Sequence, residues 1–301
     1  GLYFNYAIFT NISPDHIGPG EHADFEEYLY YKTRLLNMCG IGLVNKDDKH
    51  APQIIKAANC ELYTYSEESK EADFVASDIR YVSQPDFVGT EFHISGKYDM
   101  EVRLGIPGLF NVVNALAAVS VCSFLGLDQA RISHALENIR VNGRMEIVYT
   151  SERCTVLVDY AHNAVSMESL LSTLRDYKPK RLVCVFGCGG NRSKDRRYSM
   201  GEIGGKMADL SIITADNSRY EKVEDIIADI RGSIEKTGGK FIEIPDRREA
   251  IRYSILHAQP GDMVAVIGKG HEDYQEINGV RHHFLDREVI EETVKELGEK
   301  A

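Results

Sequence analysis

Four short clusters hold the residue types that could do chemistry in this 301-residue chain. They are Asp159-Tyr160-Ala161-His162-Asn163, Gly187-Cys188-Gly189-Gly190-Asn191-Arg192, Asp216-Asn217-Ser218-Arg219 and Gly268-Lys269-Gly270-His271-Glu272. Their arginines offer planar donor forks that suit a carboxylate, and their acidic groups suit an ammonium. Each cluster follows a short apolar run, at residues 156–158, 182–186, 210–214 and 263–267. Taken alone, any one is a plain turn at odds of roughly three to one, because Gly, Asn and Asp collect in turns for backbone reasons. Four in register on one sheet edge reverse those odds, since ligands of open parallel sheets sit beyond the carboxyl ends of the strands.

Two phosphate-binding patterns are absent. No G-x-x-x-x-G-K-[ST] loop occurs: Gly204-Gly205-Lys206-Met207 lacks the upstream glycine and the hydroxyl, and Gly268-Lys269-Gly270 follows the last long strand. Gly187-Cys188-Gly189-Gly190 follows a strand, but Arg192 stands where G-x-G-x-x-G needs its third glycine, which ranks a nicotinamide-dependent oxidoreductase last.

The elements that must position these clusters are legible from periodicity. From 155 onward, short apolar strands, with a further one at 241–244, alternate with helices; this predicts a doubly wound, Rossmann-like α/β domain over residues 151–301. Residues 1–150 read differently. Strands at 7–11, 40–45 and 62–65 alternate with helices at 25–38 and after His50, and residues 73–107 predict an antiparallel meander with turns at Gln84-Pro85-Asp86 and Ser95-Gly96-Lys97. Residues 110–125 are apolar nearly all round, predicting a buried helix, and Asp128 is a suitable cap for the next one.

Composition narrows the classes. A formal net charge of −11 argues against a surface that neutralises nucleic-acid phosphates, and no apolar run approaches the roughly 20 residues of a membrane helix. The six cysteines lie apart in apolar segments, as expected for reduced core thiols of a cytoplasmic protein rather than metal ligands.

The clusters, together with Thr10-Asn11-Ile12-Ser13-Pro14-Asp15-His16, Tyr31-Lys32, Phe110-Asn111-Val112-Val113-Asn114-Ala115-Leu116-Ala117-Ala118 and Gly143-Arg144-Met145-Glu146, resemble the Mur ligases, and among them the members that add a diamino acid. The resemblance runs over nearly the whole chain, in the family's order. It implies the second half of a central ATPase domain followed by a complete C-terminal amino-acid-binding domain, with the family's P-loop expected upstream of Gly1. The implied reaction is ATP-dependent amide formation in peptidoglycan synthesis, adding meso-diaminopimelate or a close analogue to UDP-N-acetylmuramoyl-L-alanyl-D-glutamate. A chain without the loop is expected to be inactive alone.

Carried over residue by residue, the resemblance makes His16 and Lys32 magnesium ligands, Lys32 as a carbamate formed with carbon dioxide. That modification requires the amine to lose its proton through burial or neighbouring cations. Asn114, and less so Asn111, would meet adenine. Arg144 and Asp159 would meet ATP phosphate and ribose, and His162 would orient reactants. Arg192, Asp216, Asn217, Arg219, Gly268 and Glu272 would form the amino-acid pocket. The implied partners are therefore the UDP-muramoyl dipeptide, the diamino acid and ATP, on a monomer. Members using meso-diaminopimelate carry D-N-P-R and G-D-R-D-K where this chain has Ser218 and Asn191; the arginines survive, and room is left for meso-lanthionine. Rival readings are a folylpolyglutamate-type or other Mur ligase and a non-catalytic paralogue kept as a binding module.

Overall fold

The computed structural model describes residues 1–14, 17, 18 and 20–298. Contacts divide the chain into two units. One comprises Gly1–Arg80, Thr90–Leu104 and Leu109–Ile139, and the other Tyr81–Gly89, Gly105–Gly108 and Arg140–Ala301.

The first unit is built on β1 (Phe4–Phe9), α1 (Phe25–Thr33), β2 (Cys39–Asn45), α2 (Ala51–Ala57), β3 (Glu61–Ser66), β4 (Phe74–Gln84) and β5 (Phe87–Gly96) apart from their Tyr81–Gly89 stretch, β6 (Met100–Leu104), α3 (Leu109–Phe124) and α4 (Gln129–Glu137). The strands form one sheet in chain order. β1 to β4 run parallel, and β6 returns antiparallel to β5. Asp24 starts α1 by accepting from the Glu27 amide, with Glu26 and Glu27 in the positively polarised first turn. α1 is shorter than its periodicity predicts because Arg34–Asn37 tighten into a 3-10 turn. Asp128 caps α4 as expected.

α3 departs from the expected all-round burial. Val112, Ala115, Leu116 and Val119 are buried, but Phe110, Asn114 and Ala118 are exposed. Those three recur every fourth residue, so they form one stripe on the helix. Asn114 therefore needs no buried partner.

The second unit contains β7 (Glu146–Thr150), β8 (Cys154–Asp159), α5 (Ala164–Asp176), β9 (Arg181–Phe186), α6 (Lys194–Met207), β10 (Leu210–Ile213), α7 (Val223–Thr237), β11 (Phe241–Glu243), α8 (Arg247–Leu256), β12 (Asp262–Ile267), β13 (Tyr274–Ile277), β14 (Val280–His283) and α9 (Asp286–Glu296). Its main sheet has the order β11-β10-β9-β12-β8-β7, parallel except for the antiparallel edge strand β7.

Both faces of this sheet are covered, which explains why its strands read as continuous apolar runs. Leu182, Cys184 and Phe186 of β9 pack with α5, α6 and α7, while Val183 and Val185 pack with α8 and α9. β12 splits the same way, with Met263, Ala265 and Ile267 on one side and Val264 and Val266 on the other. The strands are thereby locked in register, and their carboxyl ends present the four clusters along one edge.

Candidate functional site

The carboxyl ends of β8, β9, β10 and β12 open onto a cavity of about 480 Å³. His162, Arg192, Asp216, Asn217, Arg219, Gly268 and Glu272, all singled out from sequence, line it. Tyr160, Cys188, Arg196 and Tyr274 line it as well. Arg144 and Asp159 are not among the lining residues; Arg144 is exposed, its guanidinium 5.0 Å from the ring centroid of the lining Tyr160.

Backbone packing forms the rim. Gly190 donates to the Asn217 carbonyl at 2.8 Å, and a Cβ there would fall 1.9 Å from the Ser218 carbonyl oxygen, so only glycine brings the two loops this close. Asn191 sits at φ 53°, its amide on the Glu221 carboxylate and its side-chain oxygen accepting from the Tyr220 amide at 3.1 Å. Glu221 is held in turn by Arg197, 1% exposed, which also binds Asp229 at 2.9 Å. The asparagine that distinguishes this loop from the family pattern thus has a defined duty in shaping it.

The acidic lining residues belong to a hydrogen-bonded set. Asn217 donates to Glu272 at 3.1 Å and accepts from the Glu276 amide at 2.9 Å. Tyr160 reaches Glu272 at 3.5 Å. Lys269 has no exposed surface; its Nζ lies 3.3 Å from Asn217 Oδ1, 3.4 Å from Glu272 and 3.8 Å from Asp216. One buried ammonium against two carboxylates leaves one net negative charge, which one incoming ammonium balances. In the sequence Lys269 is one residue of a glycine-rich loop, and nothing local announces its burial. Lys269→Met is expected to lower stability by about 2 kcal/mol, the scale of leaving buried polar groups unpaired, in urea unfolding of the chain; no change would mean that the ammonium is dispensable.

The cationic lining residues are Arg192, Arg196 and Arg219. Neither Arg192 nor Arg196 makes an ion pair to a described residue. Arg219 adopts φ 52°, and its Nη1 donates to the Gly190 carbonyl at 2.8 Å. Arg196 was not singled out from sequence; it lies in the first turn of α6, which begins at Lys194.

On the β8 side, Asp159 accepts from the Met145 and Ala161 amides at 2.8 and 2.7 Å. Burial raises its pKa, against the pull of those two donors and of Arg144. It ties the 143–146 loop to the end of β8. His162 Nδ1 lies 2.9 Å from the Tyr160 carbonyl; a carbonyl only accepts, so Nδ1 carries a proton and Nε2 of the neutral ring is an acceptor. Asn163 caps α5 with a reciprocal Ser166 bond. Cys188 is no nucleophile: burial pushes its thiol up to about 12. All six cysteines are free; Cys60 and Cys122 are half-buried rather than core residues.

The described residues proposed for magnesium and adenine belong to the first unit. His16 falls outside the described residues. Lys32 is exposed, its ammonium 5.2 Å from the Tyr28 ring centroid. Asn111 and Asn114 lie on α3 of the first unit. Among the described residues no group of three or more His, Cys, Asp or Glu side chains could hold a metal ion. Among them too, no helix is long and apolar enough to cross a membrane.

Comparison with known proteins decides the family. The model for the Mur ligase middle domain matches residues 1–122, and that for the Mur ligase glutamate ligase domain matches residues 143–270. This chain belongs to the Mur ligases. It is 40% identical over 290 residues to UDP-N-acetylmuramoyl-L-alanyl-D-glutamate--2,6-diaminopimelate ligase 2 of Clostridium acetobutylicum, covering 96% of this chain and 59% of the relative. The corresponding ligase of Caldanaerobacter subterraneus subsp. tengcongensis is 38% identical over 299 residues, covering 97% of this chain and 60% of its own length. A solved structure of a ligase with the same name superimposes with a TM-score of 0.78 at 34% identity, over 98% of this Mur ligase chain and 61% of the other. The chain thus spans about 60% of the length of these curated relatives.

Proposed function

We propose that a complete Mur ligase containing this chain joins the amine of meso-diaminopimelate to the glutamyl carboxylate of UDP-N-acetylmuramoyl-L-alanyl-D-glutamate, with cleavage of ATP. One observation carries this reading: a single cavity sets Arg192 and Arg219 against Asp216, Asn217 and Glu272, which complements a carboxylate and an ammonium on the same carbon. Lysine has only the ammonium at that end. In this reading Arg219 and Arg192 hold the distal carboxylate and Glu272 and Asn217 the distal ammonium, leaving the other amine to attack. ATP supplies the activated acyl group, and neutralisation of charge at the phosphoryl group is the main demand on the protein.

The remaining assignments complete the proposal. Asn114, with Asn111 beside it in sequence, serves adenine, Arg144 the phosphates and Asp159 the ribose. His16 and a carbamylated Lys32 hold magnesium, and His162 orients the amine. Residues 1–150 serve nucleotide chemistry and 151–301 the amino acid, in a cytoplasmic monomer. The test is product formation by the complete ligase with meso-diaminopimelate, lysine and meso-lanthionine. We expect meso-diaminopimelate to be used most efficiently and the 301-residue chain alone to release no ADP; preference for lysine would overturn the substrate reading.

A further inference from the structure

We infer that Glu276 sets how strongly Arg219 reads the distal carboxylate, making it a specificity-determining residue of the amino-acid pocket; this rests on the substrate reading above. Glu276 lies on β13, in a hairpin with β14 that turns at Asn278-Gly279, where both residues take positive φ. Its backbone is clamped on two sides. The Glu276 amide donates to Asn217 Oδ1 at 2.9 Å, and its carbonyl accepts from the Arg219 amide at 2.9 Å. The Asn278 amide then donates to the Arg219 carbonyl at 2.6 Å, closing a short parallel bridge between the Arg219 loop and β13. The same stretch that fixes Arg219 therefore fixes Glu276 beside it.

The side chains meet accordingly. Glu276 Oε2 is 3.5 Å from Arg219 Nε, each side chain 22% exposed. That is close enough for charge attraction but too long for a good hydrogen bond. Nη1 is committed to Gly190, whereas Nη2 has no partner among the described residues and remains for a ligand. A substrate carboxylate approaching that edge meets a cation already partly neutralised. A substrate ending in an ammonium alone meets less repulsion than an uncompensated arginine would give. Glu276 thus narrows the difference between the two substrate classes.

The experiment is calorimetric titration of the chain with meso-diaminopimelate and with lysine, for the unmodified protein, Glu276→Gln and Arg219→Ala. The Gln side chain keeps shape and the backbone clamp while removing the charge. We expect E276Q to bind meso-diaminopimelate about threefold more tightly, the scale of one partly exposed ion pair, with lysine unchanged or weaker. Thermal melting of each variant checks the fold, and Glu276→Ala should show the same direction if the charge is responsible. Equal tightening for both ligands, no change, or weaker binding of meso-diaminopimelate by a folded E276Q would overturn the inference while leaving the substrate reading intact. Failure of the unmodified chain to bind meso-diaminopimelate, or indifference of that binding to Arg219→Ala, would overturn the substrate reading and this inference with it.

Discussion

Arg219→Ala in the complete ligase is expected to lower kcat/KM for meso-diaminopimelate by roughly 30-fold or more. Removing one partner of a desolvated charge pair costs about 2–5 kcal/mol, and about 1.4 kcal/mol is tenfold. Arg219 is 22% exposed, so its site is only partly dry and the lower part of that range applies. The truncation also removes the Nη1 bond to Gly190 and leaves alanine at φ 52°, so some loss of loop order accompanies it. Lysine separates these effects. It has no distal carboxylate, so a disordered loop harms both substrates, whereas loss of carboxylate reading harms meso-diaminopimelate selectively and relieves repulsion for lysine. Steady-state kinetics with both substrates provides the comparison. An unchanged ratio of the two specificity constants would show that Arg219 does not read the carboxylate.

The second large effect concerns stability. Arg247 and Asp286 are both fully buried and joined by two bonds of 2.7 Å. Arg247 also donates to the Ala215 carbonyl at 3.2 Å and to the Ile267 carbonyl at 3.0 Å. Ala215 precedes the Asp216 loop and Ile267 ends β12, so this one guanidinium, supported from α9, braces two of the four site loops from below. Arg247→Met leaves a buried carboxylate without its partner and is expected to cost about 3–5 kcal/mol in urea unfolding, a large share of the 5–15 kcal/mol typical of a domain. The double variant Arg247→Met with Asp286→Leu should recover much of that loss, because the desolvation of both charges disappears with the pair. A single variant as stable as the unmodified chain would mean that the carboxylate finds another partner or takes up a proton at little cost.

The hairpin of β13 and β14 was legible but not read. Asn278-Gly279 between two four-residue arms is a strong short-range hairpin signal. It was overlooked because the arms are largely exposed and lack the apolar alternation that marks other strands. Glu276 was missed with it. β7 was missed for another reason: it is an edge strand that joins the sheet antiparallel to β8 with an irregular register between Ile147 and Tyr149, and such pairing is decided by the neighbour.

The chain's own residues determined the strand and helix order of the second unit. A sheet covered on both faces demands apolar runs, and helices returning each strand parallel place every following loop at the same edge. That is why the loops that carry seven lining residues could be located from spacing, while the roles of those residues came from the family resemblance. Tertiary structure alone decided which further charges act on them. Lys269, Glu276 and Arg247 reach the site from β12's loop, from a separate hairpin and from α8, and their effect depends on burial and on distances of a few ångströms to groups far away in the chain. Coulomb interactions and desolvation depend on separation in space and on access of water, and local residue patterns specify neither until the chain has folded.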